Sequence, residues 1–203
     1  MKKLLSLVCV LAFVGCERTP EKRTIEGQVF VRLKGGESIK LSLVNVLLFD
    51  EKVIAVHLEN KGKATDSLVA DLRPREKETK DALDRANAHA SSVEADKVKR
   101  DAEEAFRKVI AAETYLYSAE YYFEGLPNPL QTTKTDVDGK FAFQIPGGSY
   151  VLAAFSNRQA GKSTEIYYWM VKVTLNANKK VMLANDNLST SGSVDSLIGT
   201  LEN

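Results

Sequence analysis

Residues 75–124 contain neither glycine nor proline, and they lie between two stretches of β-prone sequence. So long a segment without a backbone breaker has few options other than helix. Within it Val98, Ala102, Ala105, Val109, Ala112, Leu116, Ala119 and Phe123 keep a 4-3-4-3 spacing, the seam of a helix that packs on a neighbour. Glu103–Arg107, Glu104–Lys108 and Asp81–Arg85 are acid-to-base pairs four residues apart, which suits a wet face. Upstream, Leu83, Ala86, Ala90 and Val93 keep the spacing until a step of five to Val98, and Ser91-Ser92-Val93-Glu94 reads as a capping box. Two helices are expected, over about 74–90 and 92–123, joined tightly near Ser91. One helix of about 50 residues would run about 75 Å and could not bring both ends back to a small body.

The segment before this block is less decided. Asp50 can cap a helix through Val53, Ile54, His57 and Leu58 that ends at Gly62, although Val53 to Leu58 is also β-prone. On either side the pattern is β-like. Ile25, Val29 and Val31 form a strand that closes at Gly35-Gly36, and Ile39, Leu41 and Leu43 alternate with polar residues. Val44 to Phe49 is apolar but for Asn45, which implies cover on both faces. After residue 131, Phe141, Phe143 and Ile145 alternate with Lys140, Ala142 and Gln144. Pro146-Gly147-Gly148 turns the chain, and further strands start at Tyr150, near Thr164 and at Val181. Short strands divided by such turns imply a β-sandwich. Residues 185–193 read as a linker, after which Ser193 can cap a short helix carrying Val194, Leu197, Ile198 and Leu201.

At 44% hydrophobic and 27% charged, the composition is that of a globular protein. Lys+Arg number 28 against 27 Asp+Glu, so net charge gives no support to a nucleic-acid partner. Lys2 and Lys3 precede an apolar run from Leu4 to Val14, too short to span a membrane and of the right length for a secretory signal. Phe13-Val14-Gly15-Cys16 closes that run and resembles the lipobox of bacterial lipoproteins. The resemblance implies cleavage after Gly15, diacylglycerol on the Cys16 sulfur and acylation of the new amino group. Two or three acyl chains anchor a protein durably, at about 0.8 kcal/mol per buried methylene. Cleavage also removes Lys2, Lys3 and Cys9. That leaves 26 basic against 27 acidic residues and no partner for a disulfide. Residues 17–23 would form a tether of at most about 25 Å. In enterobacterial lipoproteins Asp after the modified cysteine favours the inner membrane. Glu17 stands there, so the resemblance implies the outer membrane for a Gram-negative host.

Thr135-Asp136-Val137-Asp138-Gly139-Lys140-Phe141, followed by Pro146-x-Gly148-x-Tyr150, resembles the carboxypeptidase regulatory-like domain, and Ile25-x-Gly27-x-Val29 fits its opening strand. The resemblance implies a transthyretin-like sandwich over residues 24–49 and 131–184, with about 50–124 inserted where that family has a short connection. The expected fold is therefore α+β: an antiparallel transthyretin-like β-sandwich over 24–184 with a helical hairpin packed on one sheet. It follows a signal peptide at 1–15 and a lipidated Cys16 with its tether to 23, and it precedes a tail at 185–203.

The chemistry is sparse. Asp136 and Asp138 before Gly139 match the start of a calcium loop, but its later ligands are missing, and an Asp-Gly hairpin turn explains them better. His57 and His89 stand apart with no cysteine nearby and no nucleophile elbow, so no metal, cofactor or catalytic residue is expected. Two aromatic groups remain: Tyr167, Tyr168 and Trp169, and Tyr121 with Tyr122. Exposed, they are candidates for a protein or carbohydrate surface. Alternation in a strand gives another reading, in which Tyr167 and Trp169 face one way and Tyr168 and Met170 the other, each side covered. The expected function is a membrane-anchored, non-catalytic binding or structural module of the cell envelope. An envelope scaffold using the helical hairpin is the alternative, and a hydrolase on a transthyretin-like fold has the least support.

Overall fold

The structure is a computed structural model and describes residues 21–88, 93–189 and 197–199. The described residues form two four-stranded sheets and three helices. The first sheet holds β1 (Lys22–Arg32), β2 (Ser38–Lys40), β5 (Lys140–Pro146) and β8 (Lys179–Leu183). The second has the order β4-β3-β6-β7, from β3 (Asn45–Asp50), β4 (Gln131–Lys134), β6 (Gly148–Ala160) and β7 (Ser163–Leu175). The pairs are antiparallel, except that β8 lies parallel to β1, with Gly27 opposite Val181.

The period-two pattern explains the stacking. Ile25, Val29 and Val31 from β1 and Phe141, Phe143 and Ile145 from β5 meet Val46, Leu48, Leu152, Trp169, Val171 and Val173 of the second sheet. Burying such a side chain contributes roughly 1.5–3 kcal/mol, and this interior holds the two sheets together. The opposite face of the second sheet, Phe49, Val151, Ala153 and Met170, carries another core, closed by Ile54, Leu58, Val69, Leu116, Tyr121 and Tyr122. Val46 to Phe49 is thus covered on both faces, while Asn45 is exposed.

The helices differ from the expected boundaries. Asp50 does start a helix, accepting a hydrogen bond from the Lys52 amide at 2.8 Å. That helix, α1 (Glu51–Ala88), passes through Gly62 and Pro74 without stopping, for about 57 Å. Leu58, Gly62, Thr65, Val69, Leu72, Glu76, Thr79, Leu83 and Ala86 face its partner in an unbroken 4-3 repeat, while Pro74 lies on the exposed side. The second expected helix is split. α2 (Val93–Leu116) ends where Ser118 turns to extended backbone, and the Ser118 hydroxyl caps α3 (Ala119–Phe123) by accepting from the Tyr121 amide. The junction near Ser91 lies outside the described residues.

The seam of α2 also differs. Ala102, Val109 and Leu116 face inward as expected, but Phe106 and Glu113 take the places assigned to Ala105 and Ala112, and Val98 and Ala112 are exposed. Only the base of the hairpin closes the second core, and the described residues between 73 and 114 belong to neither core. The outer half of the hairpin is an arm of two helices packed on each other. Thr65 ties its base, donating to the Leu116 carbonyl at 3.3 Å.

The strand expected to run through Leu43 stops at Lys40. Leu43 is 76% exposed with φ +60°. Thr135, itself buried, holds this kink. Its hydroxyl donates to the Leu41 carbonyl at 2.8 Å and accepts from the Val44 amide at 2.9 Å, and its carbonyl accepts from the Leu43 amide at 3.1 Å. At the other end of the chain Leu197 is buried in the second core, and Gly199 pairs with Val171. The Ser193 cap falls outside the described residues.

Candidate functional site

The aromatic residues divide by strand alternation. Trp169 is fully buried between the sheets, donates from Nε1 to the Ala184 carbonyl at 2.9 Å, and stacks with Tyr167 at 5.9 Å between ring centroids. Tyr121 and Tyr122 are buried in the second core at the base of the hairpin, edge to face at 5.5 Å. These three residues offer no surface to a partner, because both faces of β7 are covered. Tyr167 and Tyr168 are half-buried. Tyr168 lies against Phe123 at 4.9 Å and stacks on Phe155 at 6.3 Å, and Phe155 is 53% exposed. Burial, and then the negative charges of Glu120 and Glu124, push the Tyr168 hydroxyl pKa up.

Beyond Ala154 the β6–β7 ribbon continues without β3. Here Arg158 donates from Nε at 3.1 Å and from Nη2 at 2.7 Å to one oxygen of Glu165, and the Tyr167 hydroxyl donates to that same oxygen. The Tyr167 hydrogen bond, followed by Arg158, holds the Glu165 carboxyl below its ordinary range. The cross-strand pairing Arg158↔Glu165 depends on where the hairpin turns, so nothing in the local sequence singled these residues out.

Asp136 and Asp138 serve the hairpin that joins β4 to β5. Asp136 Oδ1 accepts from the amides of Asp138 and Lys140, both at 2.8 Å, and Gly139 takes φ +74°. Asp138 Oδ1 lies 2.7 Å from Lys40 Nζ. That hydrogen bond, with the Lys40 and Lys140 charges, holds its carboxyl low. No group of three or more metal-ligating side chains gathers among the described residues. His57 Nε2 lies 2.9 Å from the Tyr122 carbonyl, a contact that fastens α1 to α3. His89 and Cys16 lie outside the described residues. No helix among the described residues is long and apolar enough to cross a membrane.

The sequence reading missed a cleft of about 650 Å³ over the outward face of β8, β1 and β5, walled by Thr133 and Lys134 of β4. Its floor carries Glu26, Gln28, Lys140, Ala142, Lys180 and Met182. These are the polar phase of the same alternation that buries Ile25, Phe141 and Val181. That phase was legible, but the approach of β4 to β5, which gives the face a wall, was not.

The sequence matches no known protein-family model and no curated protein sequence. Among solved structures, it is similar to a Pseudomonas aeruginosa protein described as a carbohydrate-binding candidate, at 14% identity and TM-score 0.35, over 82% of this chain and 90% of that one. It is also similar to the pilus backbone protein of Streptococcus pneumoniae, at 12% identity and TM-score 0.25, over 79% of this chain and 40% of that one. Likenesses this distant assign neither a family nor a function.

Proposed function

We propose that this chain is a non-catalytic binding or structural module, held at a bacterial envelope membrane by lipid on Cys16. The observation that carries the reading is the lipobox-like Phe13-Val14-Gly15-Cys16 standing only six positions before β1 begins at Lys22. Such spacing would leave the sandwich within about 25 Å of a lipid surface. His57, Thr135 and Asp136 are engaged in holding the fold. Kinship with carboxypeptidase regulatory-like domains belongs to the same reading. Two features support it: Gly139 at positive φ, and the Tyr150 hydroxyl donating to the Pro146 carbonyl at 2.9 Å across the turn. Metabolic labelling with palmitate tests the anchor. Wild type is expected to take up label and fractionate with membranes, and Cys16→Ser is expected to do neither. Label retained at the wild-type level in Cys16→Ser would refute it.

A second reading, a scaffold that engages an envelope partner through the hairpin, is favoured by one observation: the outer arm joins neither core. For a Gram-negative host, Glu17 after Cys16 supports an outer membrane location, which belongs to this proposal.

A further inference from the structure

We propose that the cleft over β8, β1 and β5 binds a carboxylate-bearing polysaccharide. Three ammonium groups border it: Lys134, Lys140 and Lys180. Among the described residues Lys134 and Lys180 make no ion pair, and Lys140 approaches only Asp138, at 3.7 Å. Two carboxylates, Glu26 and Asp136, also line it, so the three ammonium groups leave a net charge of one positive. The cleft is therefore electropositive, although the chain as a whole is nearly neutral.

Its shape and polar groups narrow the ligand further. Ala142 sits opposite Glu26 on β1, and Glu26 opposite Lys180 on β8, so one row of the floor runs from a small residue to a carboxylate to an ammonium. Gln28 gives its amide N–H to the Asp138 carbonyl at 2.7 Å, which leaves its carbonyl oxygen, with the Thr133 hydroxyl and the Glu26 carboxylate, for sugar hydroxyls. An open trough of this kind suits an extended chain rather than an enclosed metabolite. Nucleic acid fits poorly. The lining has no arginine to fork a phosphate, and its one aromatic, Phe141, is buried beneath the floor. A peptide would find one apolar anchor, Met182.

The proposal deepens the binding-module reading and rests on it, while being independent of the lipid. Titration calorimetry of the full mature protein in detergent, with hexagalacturonate and with maltohexaose, tests it. Hexagalacturonate is expected to bind and to weaken as salt rises, and maltohexaose to give no heat. K134Q/K180Q is expected to bind hexagalacturonate about tenfold more weakly, with K63Q on α1, away from the cleft lining, unchanged. Equal binding of the two sugars, wild-type affinity in K134Q/K180Q, or no heat with hexagalacturonate would each overturn the proposal. Palmitate labelling separates the two ideas. Salt-sensitive binding that persists in an unlabelled protein keeps the cleft and rejects the anchor, whereas labelled protein without binding rejects the cleft alone.

Discussion

Gly27 and Phe141 sit opposite each other across β1 and β5, and the aromatic ring occupies the space a side chain at Gly27 would need. A Cβ there would lie 2.2 Å from Phe141 Cζ and 2.7 Å from the Val181 carbonyl oxygen. Gly27→Ala is expected to cost about 1–3 kcal/mol through overpacking, and Phe141→Ala about 3–5 kcal/mol through the void it leaves. In Gly27→Ala/Phe141→Ala the two costs should combine to less than their sum, with part of the loss remaining because the Val181 oxygen belongs to the backbone. Urea denaturation of the variants reads this. Strict additivity would contradict the contact.

Gly139 combines φ +74° with a close approach, since a Cβ would meet the Val29 carbonyl oxygen at 2.5 Å. Gly139→Val is expected to lose at least about 2 kcal/mol. With Asp136 accepting turn amides and Asp138 paired with Lys40, melts in calcium and in chelator should coincide. An upward shift with calcium, lost in Asp136→Ala, would make the turn a cation site.

The Arg158–Glu165–Tyr167 cluster carries a pH signature. A carboxyl held low in the folded chain stabilises it above the unfolded value of about 4.3, and loses that contribution as pH falls through the lower folded value. Glu165 is such a group. The pair is open to water, so the effect is small and screened by salt. The melting temperature of Glu165→Gln should lie below wild type at about pH 7, with the gap closing as pH drops under about 4. A gap that stays constant to about pH 3 would show that charge has no part in it.

Leu116 and Ala112 test which face of α2 is covered. Leu116→Asp would bury an unpaired charge in the second core and is expected to cost several kcal/mol. Ala112→Asp, on the exposed side, should cost only about 1 kcal/mol, from helix propensity and the helix dipole. Equal losses in thermal melts would mean that both residues are buried.

Much of the sandwich was legible because strands advertise their faces. Trp169 and Tyr167 alternating with Met170 and Tyr168 offered a reading with cover on both sides, beside that of an exposed aromatic surface. The arm was harder to read. The inward positions of α1 include Gly62, Thr65, Glu76 and Thr79, small or polar residues that hide a heptad, and Gly62 and Pro74 imitate helix ends. In α2, alanines at 102, 105 and 112 carry too little apolar area to say which of them faces inward, and the larger Phe106 decided it. The parallel pairing of β8 with β1 is set by long-range geometry that no local pattern encodes. The cleft was missed for the same reason, since its wall comes from a strand of the other sheet.

The outer half of the hairpin joins neither core, so the sandwich is expected to fold without it. Deleting residues 77–107, and joining Glu76 to Lys108 by a short glycine-rich turn, tests this in one measurement. Trp169, buried and hydrogen-bonded to Ala184, reports on the interior through near-ultraviolet circular dichroism during a thermal melt. The shortened chain is expected to keep the native aromatic signal and to melt within a few degrees of wild type. Loss of the aromatic signal at room temperature would show that the arm holds the sandwich together, and would contradict the account.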